Sequence, residues 1–127
     1  MSNAAFGSRK VMAFAATSKP ARARRFYRDT LGLRLVSEDE FALAFDAHGT
    51  MLRVQKVESL QPQAHTALGW HVDDIRGTIR SLEQRGVHFE RHPGMPQDEF
   101  GVWTTPDGSS VAWFRDPDGN VLSLTQF

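Results

Sequence analysis

The sequence DAHGTMLRV at residues 46–54 recurs in the second half of the chain as DPDGNVLSL at residues 116–124. Each copy is a short glycine-containing turn, followed by a strand-like run in which apolar side chains alternate with others. Gly49 and Gly119 supply the positive φ that closes a short hairpin loop, and Pro117 presets the backbone ahead of the second one. This repeat predicts that the chain consists of two similar modules.

The segments upstream of the two turns also correspond. FYRDTLGLRL at residues 26–35 and LEQRGVHF at residues 82–89 both have the pattern of a helix end, a glycine and a strand. Glycine is common directly after a helix because it adopts the left-handed conformation without strain. Each module is therefore predicted to have the order βαβββ.

The predicted elements follow from apolar periodicity and from capping residues. In the first module we expect a helix from an N-cap at Ser18 to Leu31, and strands at residues 11–16, 33–37, 41–45 and 51–56. In the second we expect a helix capped by Asp74, and strands at residues 68–73, 87–91, 110–115 and 121–127. Residues 101–105 are considered as a further short strand. Residues 1–8 are expected to be a leader, 9–57 and 67–127 the two modules, and 58–66 their linker.

The expected fold is α+β: two βαβββ modules form curled mixed sheets around a concave cleft, with the helices on the outer face. A four-stranded sheet covered by one helix leaves its other face open, so the two modules are expected to share one domain. Ligand pockets form preferentially where such modules meet.

Composition excludes several classes of function. Among 127 residues, 15 Lys and Arg balance 15 Asp and Glu, so no overall charge favours nucleic acid or an anionic membrane. There is no cysteine, which excludes disulfides, thiolate metal sites and a cysteine nucleophile. No apolar run approaches the roughly 20 residues that a membrane span needs. We expect a cytoplasmic protein that contacts neither nucleic acid nor membrane.

Three segments occur in the order typical of one protein family: FYRDTLGL at residues 26–33, VDDI at residues 72–75 and DPDGN at residues 116–120. The chain resembles the vicinal oxygen chelate superfamily over nearly its whole length. This superfamily includes glyoxalase I, fosfomycin-resistance enzymes, extradiol dioxygenases, methylmalonyl-CoA epimerase and the bleomycin-resistance proteins. The resemblance implies a fold more specifically than a reaction.

The resemblance also implies where metal-dependent members hold their ion. The four ligand positions correspond to Met12, Arg53, Ala67 and Ser123 of this sequence. None of these side chains is a good ligand for a divalent cation, and Arg53 would repel one. We therefore expect no metal and no other cofactor.

Strand alternation separates the side chains that face the cleft from those that face the helices. The alternates Leu52, Val54, Leu122 and Leu124 are apolar and are expected to pack on the helices. Whether Trp113 or its neighbour Phe114 faces the cleft depends on the hairpin register. The candidate ligand-binding residues are Met12, Phe14, Arg53, Gln55, His71, Trp113 and Ser123.

These residues suggest recognition of a small organic molecule without a metal, similar to that of the bleomycin-resistance proteins. Arg53 would contact an anionic or carbonyl oxygen, His71 and Gln55 would supply hydrogen bonds, and Phe14 and Trp113 an apolar wall. Two alternatives remain: a glyoxalase-, epimerase- or dioxygenase-like enzyme, and a dimeric accessory protein with a vestigial cleft. A homodimer is expected, because an exposed aromatic loop containing Phe100 and Trp103 would need cover.

Overall fold

The computed structural model describes residues 5–127, which form two four-stranded sheets with two helices. The first module contains β1 (Ala13–Thr17), α1 (Pro20–Arg25) continued by a π-helical turn (Phe26–Thr30), β2 (Arg34–Glu38), β3 (Ala42–Ala47) and β4 (Thr50–Lys56). The second contains β5 (Leu68–His71), α2 (Ile75–Gln84), β6 (Trp103–Thr104), β7 (Ser110–Arg115) and β8 (Val121–Gln126). Residues 1–4 of the predicted leader lie outside the described residues.

The two sheets have the same topology. The first sheet has the order β1-β4-β3-β2 and the second the order β5-β8-β7-β6. In each sheet one edge strand pairs in parallel with the last strand of its module, and the other pairs are antiparallel. The edge strands β1 and β5 contact each other. The α+β fold of two βαβββ modules is confirmed, with sheets that curl without closing.

The repeated glycine turns occupy equivalent places, as predicted. Gly49 connects β3 to β4 with φ 88°, and Gly119 connects β7 to β8 with φ 90°. Leu52 and Leu122, which follow these turns, are both fully buried, and each pairs with its module's first strand. The echo in the sequence therefore reflects a structural repeat.

Both modules contribute to one hydrophobic core. Side chains from both helices pack on one face of each sheet. The residues predicted to face the helices belong to this core: Leu52, Val54, Leu122 and Leu124. Tyr27 and Phe45 of the first module pack with ring centroids 5.7 Å apart, and Phe26 lies 6.4 Å from Phe114 of the second. This packing leaves the opposite face of each sheet uncovered by the helices.

A hydrogen-bond network, which we call the inter-module network, joins the β7–β8 turn to the end of β1 and to the π-helical turn. The Tyr27 hydroxyl donates to Asp116 at 2.7 Å, and the Asn120 amide donates to the Ala16 carbonyl at 2.9 Å. The backbone N–H of Ser18 donates to Asp118 at 2.8 Å. Burial, together with the adjacent Asp116 carboxylate, raises the pKa of Tyr27 far above its usual range, so its hydroxyl remains a donor.

The first helix differs from its prediction at both ends. Its N-cap is Lys19 and has no side-chain hydrogen bond, because the Ser18 hydroxyl donates to Asp118 instead. The predicted N-cap at Ser18 is therefore wrong, whereas the cap at Asp74, which accepts from the Gly77 N–H, is confirmed. Near its end the helix widens into the π-helical turn, where the Leu31 N–H donates to the carbonyl five residues earlier.

The predicted strand at residues 87–91 is wrong. This segment makes a single bridge, from Phe89 to Phe114, and β6 forms the outer edge of the second sheet instead. The Gln97 side chain donates to the Glu90 and Gly101 carbonyls, and so folds the following proline-containing loop back on itself. These bonds compete with a strand ladder.

The aromatic loop expected to be exposed is folded against the protein, so that expectation is also wrong. The Asp98 carboxylate accepts from the N–H groups of Phe100 and Val102 and bends the loop inward. Phe100 packs on the core beneath the Arg80 guanidinium, 5.6 Å from its ring centroid. Trp103 stacks on Trp113, with ring centroids 6.2 Å apart.

Candidate ligand-binding site

The open face of the first sheet, opposite the core, carries four of the predicted site residues. Phe14 on β1 pairs with Arg53 on β4, and Gln55 lies one step further along the same face of β4. Met12 lies just before β1 and is 44% exposed, and Phe14 is 51% exposed. The predicted strand parity of this sheet is confirmed, because Leu52 and Val54 between these positions are fully buried.

Arg53 lies at the centre of this open face, between Phe14 on β1 and Ala44 on β3. Within residues 5–127 its guanidinium forms no salt bridge. The nearby Asp39 carboxylate accepts from the Phe41 and Ala42 N–H groups, which are the main reason that its pKa lies below the usual range. The positive charge of Arg53 lowers the pKa of Asp39 further, but without a direct contact.

The neighbouring carboxylate of Glu38 is also engaged elsewhere. It binds Arg24 at 2.7 Å and Lys56 at 2.8 Å. These hydrogen bonds, that of Arg24 first, lower the pKa of Glu38 to about 2. The carboxylates at the end of β2 thus have their own partners, and the guanidinium of Arg53 is left to solvent or to a ligand.

The open face of the second sheet carries an aromatic cluster above small residues. The register places Trp113 on this face, opposite Ser123, and buries Phe114 completely in the core. This resolves the two alternatives that the sequence left open. Trp103 stacks on Trp113, and the His92 ring meets Trp113 edge-on at 5.1 Å. Trp113 thus belongs to a preformed aromatic surface.

Ser123 is buried, with 7% of its surface exposed, and its neighbour on β5 has no side chain. Gly69 on β5 pairs with Ser123, and a Cβ atom at Gly69 would lie 2.7 Å from the Ser123 Oγ. No fully buried side-chain polar atom among residues 5–127 lacks a partner, and this hydroxyl has none, so its oxygen has at least slight contact with solvent.

His71 lies at the end of β5, opposite Thr125 and exposed, with its ring 5.3 Å from that of Phe127. It also lines a cavity of about 180 Å³ on the helix side, together with Trp70 and Phe114. The structure therefore places His71 at the rim of the second sheet, two positions along the same strand from Gly69. His71 is a peripheral member of the predicted set.

A cavity of about 390 Å³ lies at one end of the open face of the first sheet. Of the predicted site residues, only Met12 lines it. Met51 could have been found from the sequence, because it has the parity of Arg53. Val36 could not, because it lies where a register shift interrupts the pairing between Leu35 and Ser37 of β2 and their partners. The lining residues are Lys10, Val11, Met12, Arg34, Val36, Phe45, Asp46, Gly49 and Met51.

The residues at the family's metal positions do not fit a divalent ion. The cross-strand neighbour of Arg53 on β1 is Phe14, and those of Ser123 are Gly69 and Trp113. None of these neighbours supplies a carboxylate or an imidazole. Met12 offers a thioether and Ala67 no donor at all. Across residues 5–127, no three His, Cys, Asp or Glu side chains are grouped so that they could hold a metal.

Over the same residues, no helix is long and apolar enough to cross a membrane.

Known structures share this architecture. An integron cassette protein from the mobile metagenome of the Halifax Harbour sewage outfall has 19% identity and a TM-score of 0.72, over 93% of this chain and 97% of that one. A lactoylglutathione lyase from Agrobacterium tumefaciens has 20% identity and a TM-score of 0.69, over 94% and 95%. A Glyoxalase/bleomycin resistance protein/dioxygenase superfamily member from Sphaerobacter thermophilus has 25% identity and a TM-score of 0.69, over 92% and 97%.

Sequence comparison identifies the family. No curated protein matches the chain. The profile of the Glyoxalase/Bleomycin resistance protein/Dioxygenase superfamily matches residues 11–124, which include both modules. This match confirms the resemblance to the vicinal oxygen chelate proteins. The chain belongs to the Glyoxalase/Bleomycin resistance protein/Dioxygenase superfamily.

Proposed function

We propose that this protein binds a small organic ligand bearing a carboxylate or a polarised carbonyl, without a metal ion. The observation that carries the proposal is Arg53, a partly buried residue on a largely apolar sheet face, whose guanidinium has no salt bridge among the described residues. Placing a charge beside apolar neighbours is costly unless a partner satisfies it. A carboxylate supplies that partner through two parallel hydrogen bonds.

The other predicted residues support this role in two groups. On the first sheet, Phe14 provides an apolar surface beside Arg53, and Gln55 provides an amide two residues further along the same face of β4. On the second sheet, Trp113 offers a stacking surface and Ser123 a hydroxyl, with His71 at the rim. An enzyme of this family that relies on a metal would need ligands at Met12, Arg53, Ala67 and Ser123, so we favour binding over catalysis.

Replacing Arg53 by lysine should weaken the binding of benzoate by about 1–3 kcal/mol, because lysine cannot form the paired hydrogen bonds. Arg53→Ala should weaken it at least as much and leave the fold intact, because it removes a charge without a salt-bridge partner. The measurement is a titration of benzoate followed by NMR chemical shifts, with and without EDTA. EDTA should leave the wild-type affinity unchanged.

The control is Arg22→Lys, because Arg22 is an exposed arginine on α1. It should bind benzoate as tightly as the wild type. Equal affinities of the wild type and both Arg53 variants would refute the anchor. Loss of binding in EDTA, restored by a divalent metal, would instead support the metal-dependent alternative.

We also propose a homodimer in which a second copy lies over the open face of the first sheet and leaves the ligand enclosed between the two chains. Four apolar side chains of this face are between 40% and 51% exposed: Met12, Phe14, Val36 and Met51. Exposed apolar groups at this density are typical of interfaces. Light scattering at micromolar concentration should give the mass of two chains, and a single-chain mass would exclude the dimer.

The expected cytoplasmic location and the absence of nucleic-acid binding stay predictions.

A further inference from the structure

The 390 Å³ cavity at the end of the first sheet has several apolar residues in its lining although it opens to water. Its lining residues include Met12, Met51 and Val36, which are 44%, 40% and 49% exposed. A volume of this size is at the lower end of small-molecule sites. Methionine side chains are flexible and adapt to irregular apolar ligands.

Arg53 lies next to the cavity in the direction of the strands. Met51 and Arg53 are two residues apart on the same face of β4, so their Cα atoms are about 7 Å apart. Arg53 pairs with Phe14 on β1, and Met12 lies two residues before Phe14. A ligand held at Arg53 can therefore extend over the two methionines into the cavity.

The charges around the cavity favour an anion over a cation. Lys10 and Arg34 contribute two positive charges to the lining, and Asp46 one negative charge. The Asp46 carboxylate already accepts from the Gly49 N–H at 2.9 Å and has Arg34 at 3.7 Å. A small polar anion would leave the methionines in water, and a purely apolar ligand would leave Arg53 without a partner. Only a ligand with an anionic group and an apolar chain can pair with Arg53 and also cover the methionines.

We propose that the ligand is an unbranched, medium-chain aliphatic carboxylate, in the size range from octanoate to decanoate. The carboxylate binds Arg53, and the alkyl chain occupies the cavity lined by Met12, Met51 and Val36. This inference rests on the proposed function, because it uses the same anchor.

The test is calorimetry with acetate, butyrate, hexanoate, octanoate and decanoate. Each methylene buried in the cavity should tighten binding about three- to fourfold, and the increase should stop once the cavity is full. Arg53→Ala should weaken every member of the series by a similar factor. Met51→Gln, which has a similar shape but is polar, should weaken decanoate about tenfold and leave acetate unchanged.

Two valines provide a matched control. Val36→Thr changes the cavity wall and should weaken decanoate a few-fold, on the order of one methyl-sized apolar contact. Val57→Thr makes the same change at an exposed valine just after β4 that does not line this cavity, and decanoate should bind it as it binds the wild type.

The outcomes separate this inference from the proposed function. If all five carboxylates bind equally and still depend on Arg53, the cavity takes no alkyl chain and only the proposed function stands. If affinity rises with chain length but Arg53→Ala has no effect, the anchor is wrong, and both proposals fail. If Met51→Gln dissociates a dimer without changing decanoate affinity, the Met51 side chain contacts the second copy and not the alkyl chain, and the inference is overturned.

Discussion

Replacing Asp116 by alanine is expected to lower the free energy of unfolding by about 3–5 kcal/mol, because four donors lose a buried acceptor. The Asp116 side chain is almost fully buried, and it accepts from the Tyr27 hydroxyl at 2.7 Å and from the Asp118 N–H at 2.9 Å. It also accepts from the backbone N–H and the side-chain amide of Asn120. A buried donor without a partner costs about 1–3 kcal/mol. Since Tyr27 belongs to the other module, the loss should also loosen the contact between modules.

The repeat in the sequence supplies a matched control for this variant. Asp46 begins the equivalent turn of the first module, but among residues 5–127 its one hydrogen-bond donor is the Gly49 N–H, and its side chain is partly exposed. Asp46→Ala should therefore cost about 1 kcal/mol, which is typical of one accessible hydrogen bond. Urea unfolding followed by circular dichroism gives both values. Equal losses for the two aspartates would show that the inter-module network adds no stability beyond the turn itself.

This contrast shows what the sequence could and could not predict about the fold. The two turns were recognisable because glycine and aspartate determine such turns locally. The second role of Asp116, as the acceptor for the Tyr27 hydroxyl, could not be predicted, because Tyr27 lies 89 positions away in the chain. The predicted N-cap at Ser18 is wrong for the same reason. Its hydroxyl, which could cap its own helix, donates to Asp118 of the other module.

The candidate site was predictable to a similar extent. Alternation along β4 correctly placed Arg53 and Gln55 on one face and buried Leu52 and Val54 on the other. The cavity beside Arg53 was missed, because it depends on how Val36 is displaced by a local shift in strand register. Irregularities of this kind arise from the packing of neighbouring strands and leave no pattern in one segment alone.

Replacing Phe114 by alanine is expected to cost about 3–5 kcal/mol, the usual effect of removing a buried phenylalanine. Its ring is fully buried and lies 5.2 Å from Phe89 and 6.4 Å from Phe26, so it joins the second sheet to the π-helical turn of the first module. It already borders a cavity of about 180 Å³. The space left by the ring would enlarge that cavity, and a rigid core would collapse only partly to fill it.

The adjacent residue is the natural comparison, because alternation places it on the opposite face of β7. Trp113 is larger than Phe114 but only partly buried, and it packs on Trp103 and His92 at the surface of the open face. Trp113→Ala should therefore cost less, about 1–2 kcal/mol, because removal of the partly exposed ring leaves a gap open to water and not a closed cavity in the core. Urea unfolding of both variants, followed by far-ultraviolet circular dichroism, compares the two losses. A slip of one residue in the β7–β8 pairing would exchange the two environments. A larger loss for Trp113→Ala than for Phe114→Ala would therefore contradict the register that places Trp113 in the candidate site.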